Sequence, residues 1–157
     1  MAIGNELTVR AFDYRIEFPL NAAPAGVWEA LTSNINDWWL PDFHVAAPDS
    51  HVSLNPVPGG HLVETTSDGG GLLWYTVHAS TPGRSLTLVG PLCLDCGPAT
   101  TMLTLSIEES DTGCTLVLAD ALVGHVTDKL ISSLQDGWKM LMEDGLKPFV
   151  ETAASAS

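Results

Sequence analysis

Positive charge is scarce in this chain. It carries 6 Lys and Arg against 19 Asp and Glu, a formal net charge of −13. Nucleic-acid binders neutralise phosphates with clustered Lys and Arg, and proteins on anionic membranes use the same groups. No such cluster exists here, so neither nucleic acid nor a membrane is expected as a partner. Cysteine is also sparse: Cys93, Cys96 and Cys114 are an odd set, too few for a disulfide framework in 157 residues. No stretch reaches the roughly 18–20 uninterrupted apolar residues of a membrane helix. Residues 1–10 hold neither a long apolar stretch nor a small-residue cleavage site, which makes the cytoplasm the expected compartment. A Gly-rich phosphate loop, an H-E-x-x-H pair and a G-x-S-x-G elbow are all missing, so P-loop, metzincin and serine-hydrolase readings lack support. The acidity reads as solubility, with inward-facing acids that bind a cation as the functional alternative.

Apolar residues make up 45% of the chain, enough for one domain with a sizeable core. Residues 7–18 are rich in β-formers and alternate polar with apolar, which predicts a strand that Pro19 ends. Residues 22–32 predict a short helix with Pro24 in its first turn and Val27, Trp28 and Leu31 on its apolar face; residues 34–39 predict a second, stopped by Pro41. Six strand-like runs follow, at about 50–55, 60–66, 72–80, 84–92, 100–108 and 114–123. Turns such as Pro58-Gly59-Gly60, Pro82-Gly83 and Asp111-Thr112-Gly113 make neighbours antiparallel. From residue 127 to about 150, Leu130, Ile131, Leu134, Trp138, Leu141, Met142 and Phe149 share one helical stripe. Gly137 and Gly145, two turns apart on that helix, would leave room beneath it, and Pro148 would kink or shorten its last turn. The expected fold is α+β: a seven-stranded curved antiparallel sheet, hydrogen-bonded in sequence order and wrapped around a long C-terminal helix, with two short helices after the first strand. The domain is expected over residues 7–151, with 152–157 as a disordered tail.

This order and several local motifs resemble the SRPBCC superfamily, the START-like or helix-grip proteins, in its heat-shock-ATPase-activator-like or polyketide-cyclase-like branch. The resemblance is carried by Pro24…Val27-Trp28-Glu29-Ala30-Leu31-Thr32, Trp38-Trp39, Pro58-Gly59-Gly60, Val77 with Pro82…Leu86, Gly113-Cys114-Thr115-Leu116 and Gly137-Trp138…Leu141…Leu146…Phe149, spread over about residues 8–151. It implies a cavity between sheet and long helix, with Trp39 and Trp138 at its wall. Trp28 and Trp38 are expected in the core. It names no single activity, because the superfamily hosts carriers, receptors, cyclases and chaperone regulators.

Strand parity gives the inward set. Leu103, Leu105 and Ile107 face in with Leu116 and Leu118, which turns Asp120 inward. The Pro82-Gly83 hairpin places Val77 opposite Leu88 and Ala79 opposite Leu86, with Leu73 and Tyr75 also inward; the preceding turn adds Leu62 and Glu64. Leu62, Val77, Leu88, Leu103 and Leu118 are thus expected as ligand contacts beside the two tryptophans. Glu64, Tyr75 and Asp120 are the candidate catalytic groups, since a buried carboxylate must be protonated, paired or metal-bound. His61 and His78 are expected outward as cross-strand neighbours. Cys93-Leu94-Asp95-Cys96, a lone C-x-x-C in a loop, lacks the second ligand pair of a zinc site. Two main functions follow. One is the binding of a small hydrophobic molecule. The other is a zinc-dependent hydrolase of small uncharged esters or phosphotriesters, with Glu64, Asp120, His44 and His125 as the metal set. A metal-free acid–base enzyme and a chaperone-associated regulator are further possibilities. The sequence requires no cofactor, zinc being the one the hydrolase reading implies, and either a monomer or a homodimer is compatible with it.

Overall fold

A computed structural model describes residues 1–91 and 97–156. In chain order the elements are β1 (Arg10–Leu20), α1 (Pro24–Leu31), α2 (Ile35–Trp38), a 3₁₀ turn (Pro41–Phe43), β2 (His51–Leu54), β3 (His61–Thr65), β4 (Gly71–Thr81), β5 (Ser85–Pro91), β6 (Ala99–Ser110), β7 (Gly113–Gly124), α3 (Asp128–Met140), a π-helical turn (Leu141–Leu146) and α4 (Lys147–Ala156). The last three run on as one 29-residue helix.

The seven strands form one antiparallel sheet in the order β1-β7-β6-β5-β4-β3-β2. Strands 2 to 7 pair in sequence, as short turns require. The exception is β1, which pairs with β7 rather than β2, from Arg10 opposite Gly124 to Leu20 opposite Cys114. The two short helices and the loop after them carry the chain across to the opposite edge. As an edge strand, β1 also runs through Pro19 instead of ending there. The Pro19 carbonyl accepts from Lys147 Nζ at 2.8 Å, so that side of the residue faces away from β7 and its missing N–H interrupts no ladder bond.

The helix begins at Thr127, whose side chain accepts from the Leu130 N–H. It continues through 152–156, which was expected to fray. Its last turns are fastened to the end of β1 by Lys147 and by Glu151, which accepts from the Asn21 N–H at 3.0 Å. Pro148 does not end the helix. The π turn just before it widens the backbone, with the Lys147 N–H bonded to the Met142 carbonyl, and so accommodates a residue that cannot continue an i→i−4 ladder.

The core has two parts. The larger joins Leu86, Leu88, Leu103, Leu116 and Leu118 of the sheet to Leu141, Met142, Leu146 and Val150 of the helix, with Val27, Leu31 and Trp38 closing one end; Trp28 packs against it half-buried. The smaller holds Ala99, Leu122, Val126 and Ile131 at the start of the helix, with Phe12, Leu130 and Leu134 against it. The expected parity holds on β6 and β7, and Cys114 is buried and unpaired. Cys93 and Cys96 lie outside the described residues. None of the described helices is long and apolar enough to cross a membrane.

Candidate functional site

The site is created by a fault in strand register. On β3, Leu62 and Glu64 point inward, opposite Tyr75 and Leu72 on β4, while Val63 and Leu73 pair between them. Trp74 is therefore an extra residue on β4, a β-bulge. Alternation would send Trp74 and Tyr75 to opposite faces, yet both line the same cavity. The bulge also turns Leu73 outward, where it is 46% exposed, against the inward expectation. A second bulge at His78 pairs Ser80 rather than Ala79 with Leu86. In the separate β3–β4 ladder His61 stands opposite Thr76, so His61 and His78 are both exposed but are not direct partners.

The cavity has a volume of about 190 Å³. Its apolar lining belongs to the larger part of the core, apart from Leu134, which packs against the smaller. Trp39, Phe43 and Trp74 form one wall, Leu134, Gly137, Trp138 and Leu141 of the helix form the other, and Ser133 sits at its edge. The aromatic wall is braced by hydrogen bonds. Trp39 Nε1 donates to the Phe43 carbonyl at 2.9 Å, and Trp38 Nε1 to the Ala30 carbonyl at 2.7 Å. The Trp39 and Trp74 rings stand 6.0 Å apart at 59°.

Glu64 is fully buried behind this wall. Its Oε1 accepts from the Ala46 N–H at 2.8 Å and Ser50 Oγ at 2.6 Å, and its Oε2 from Trp74 Nε1 at 3.0 Å. Burial raises its pKa, but the Ser50 hydroxyl, the Ala46 N–H, the Trp74 indole and the Val45 N–H outweigh that and hold it below the usual value. Having spent its one proton on Glu64, the Ser50 hydroxyl accepts from His44 Nδ1 at 3.0 Å, which fixes that ring's tautomer. Glu64 thereby ties the loop from His44 to Ser50 to the back of Trp74.

Asp120 belongs to a separate group. It stands opposite Tyr14 on β1 and Leu103 on β6. Tyr14 Oη donates to Oδ2 at 2.8 Å and Thr101 Oγ1 donates to Oδ1. Here burial prevails over the Thr101, Tyr14 and Ala121 donors, and the pKa is raised. Burial and the nearby Asp120 charge push both tyrosine hydroxyls, Tyr14 and Tyr75, far above the ordinary phenol range.

No protein-family model and no curated protein matches the chain. Solved structures do. A Rhizobium leguminosarum protein superposes with a TM-score of 0.67 at 16% identity, over 94% of this chain and 99% of its own. DynU16, described as a protein in the dynemicin biosynthetic locus, gives 0.66 at 18% identity over 90% of this chain, which spans 48% of DynU16. CalU16 from Micromonospora echinospora gives 0.56 at 18% identity, over 86% of this chain and 73% of its own. The fold is of the helix-grip type.

Within the helix-grip frame the expected residues separate into three groups. Trp39, Tyr75 and Trp138 border the cavity. Leu62, Val77, Leu88, Leu103 and Leu118 face inward but are packed in the core, so the space beneath the helix is largely filled and the hollow is confined to one end. The proposed metal set is not gathered. Glu64 is on β3 and Asp120 on β7, with three strands between them, and they share no hydrogen-bond partner. His44 turns to Ser50, and half-buried His125 places its Nδ1 3.1 Å from the Thr8 carbonyl. Among the described residues no three His, Cys, Asp or Glu side chains come together as a metal site. Trp74, Phe43 and Ser133 were missed by sequence reasoning. Ser133 lies one turn before Gly137 on the helical stripe, which was the available signal; nothing in the alternation of β4 marks the bulge that recruits Trp74.

Proposed function

We propose that this protein binds one small, largely apolar aromatic molecule in the cavity between α3 and the Trp74–Tyr75 bulge. The observation that carries this is a hollow of about 190 Å³ walled by three tryptophans, a phenylalanine and two leucines. A dry engineered cavity of about 150 Å³ lined by apolar side chains takes up benzene, so this space suits a ligand of one or two rings. Aromatic walls supply large contact area at little entropic cost. We further infer distant kinship with the SRPBCC superfamily, in its cyclase-like branch. The motif order supports it, as does the fold likeness to DynU16 and CalU16.

The test is direct, because Trp39, Trp74 and Trp138 report on the cavity. Titration with naphthalene should quench tryptophan emission saturably. Gly137→Leu, which projects a side chain into the cavity, should weaken binding about tenfold or more while the far-UV circular dichroism stays unchanged. Absence of saturable quenching up to the solubility limit would sink the proposal.

A further inference from the structure

The polar groups of the cavity wall are not equal. The indole N–H of Trp39 is committed to the Phe43 carbonyl, and that of Trp74 to Glu64. Tyr14, the other tyrosine, donates to Asp120. Tyr75 differs: it is 5% exposed, borders the cavity, and its hydroxyl has no hydrogen-bond partner among the described residues. A buried hydroxyl without a partner has lost its water and gained nothing in return. Proteins rarely keep such a group unless something else satisfies it. The hydroxyl is not among the sealed-off orphan atoms either, Ser80 Oγ being the one found among the described residues, so Tyr75 keeps some reach into open space. The space it borders is the cavity.

The charges around that hydroxyl have one sign. Among the described residues no Lys, Arg or His side chain lines the cavity. Burial first, and then the field of the buried Asp120 carboxyl, act against a negative charge on the phenol, and the chain as a whole carries −13. Ser133, the remaining hydroxyl at the wall, is exposed and hydrated, so it selects little. The half-buried Trp138 offers a donor N–H and no acceptor.

Building on the binding function proposed above, we propose that Tyr75 is the specificity-determining hydrogen-bond donor of the cavity, selecting neutral aromatic molecules that bear an oxygen acceptor and rejecting aromatic carboxylates. A neutral oxygen placed on Tyr75 gives that hydroxyl the acceptor it lacks among the described residues. A carboxylate there would be stripped of water in an apolar pocket with no cation to pair with and a buried acid close by.

Three probes of one ring system separate the contributions: naphthalene, 2-naphthol and 2-naphthoate, titrated at pH 7 against the wild-type protein and Tyr75→Phe. One added hydrogen bond corresponds to about a tenfold gain in affinity. The wild type should therefore hold 2-naphthol about tenfold more tightly than naphthalene and 2-naphthoate more weakly than either. In Tyr75→Phe the naphthol preference should vanish while naphthalene affinity, which doubles as the check on folding, stays within about twofold. A naphthol preference that survives in Tyr75→Phe, or wild-type binding of 2-naphthoate as tight as of 2-naphthol, would overturn the role of Tyr75 and leave apolar binding intact. Failure of all three probes to bind the wild type would overturn both.

Discussion

Glu64 and Asp120 are both sealed beneath the sheet, yet their environments move them in opposite directions. Glu64 receives donors on both oxygens from a loop, a hydroxyl and an indole, and its pKa falls below 4.5. Asp120 receives two hydroxyls and the Ala121 N–H, not enough to offset its burial, and its pKa is raised from the ordinary value. The pH consequences follow from linkage. Stability from Glu64 is complete above its unfolded value near 4.5 and is lost as pH falls through its lower folded value. Asp120 contributes a cost that is complete above its raised folded value and disappears as pH falls toward 3.8. Urea titrations across pH should therefore show a shallower fall of stability with rising pH in Asp120→Asn than in wild type, starting just above pH 3.8. Glu64→Gln should lose about 1–3 kcal/mol at pH 7, because its amide must set an N–H against either Trp74 or the Ser50 and Ala46 donors. An unchanged urea midpoint in Glu64→Gln would contradict the role given to this carboxylate.

At the scale of elements, the site depends on two irregularities and on two glycines that share a helix but not a role. The bulge at Trp74 puts adjacent aromatic residues on one face, and the π turn at Leu141–Leu146 lets the helix pass Pro148. A Cβ on Gly145 would lie 2.7 Å from the Trp38 carbonyl oxygen, a backbone atom that cannot swing aside. A Cβ on Gly137 would meet only Phe43 Cε1, at 3.7 Å, an ordinary contact. Alanine at either position gains up to about 1 kcal/mol of helix propensity. At Gly145 the crowding, typically about 1–3 kcal/mol, exceeds that gain. Thermal melts should show Gly145→Ala lowered by a few degrees and Gly137→Ala unchanged or raised. A raised midpoint in Gly145→Ala would mean that the helix does not rest on Trp38 as described.

For the whole molecule, the excess of acids is the dominant long-range force. The described ion pairs, Arg10–Asp128, Arg15–Glu17 and Lys147–Glu151, are all at the surface and hold little energy. Self-repulsion among a net −13 opposes compaction, and salt screens it over about 10 Å at 0.1 M. The thermal midpoint at pH 7 should rise by a few degrees between 10 and 200 mM sodium chloride, as ~8–10 Å screening sets in. A midpoint that is flat or falls with salt would show that local pairs outweigh the net charge.

Much of this architecture could be read from the chain because it depends on short-range rules. Period-two alternation gave β6 and β7 their inward leucines and placed Asp120 among them, the helical spacing of apolar residues after residue 127 gave the long helix, and turn glycines set the antiparallel pairing of β2 to β7. The tertiary structure alone decided which strand β1 would join, where register would slip, and which of the inward side chains would meet across the sheet. A bulge leaves no mark in hydrophobic periodicity, because its one-residue shift is fixed by packing against the opposite strand and the helix, not by the residues that bulge. The same reason separates Glu64 from Asp120: parity determines the face a side chain takes, whereas strand order determines its distance from another on that face.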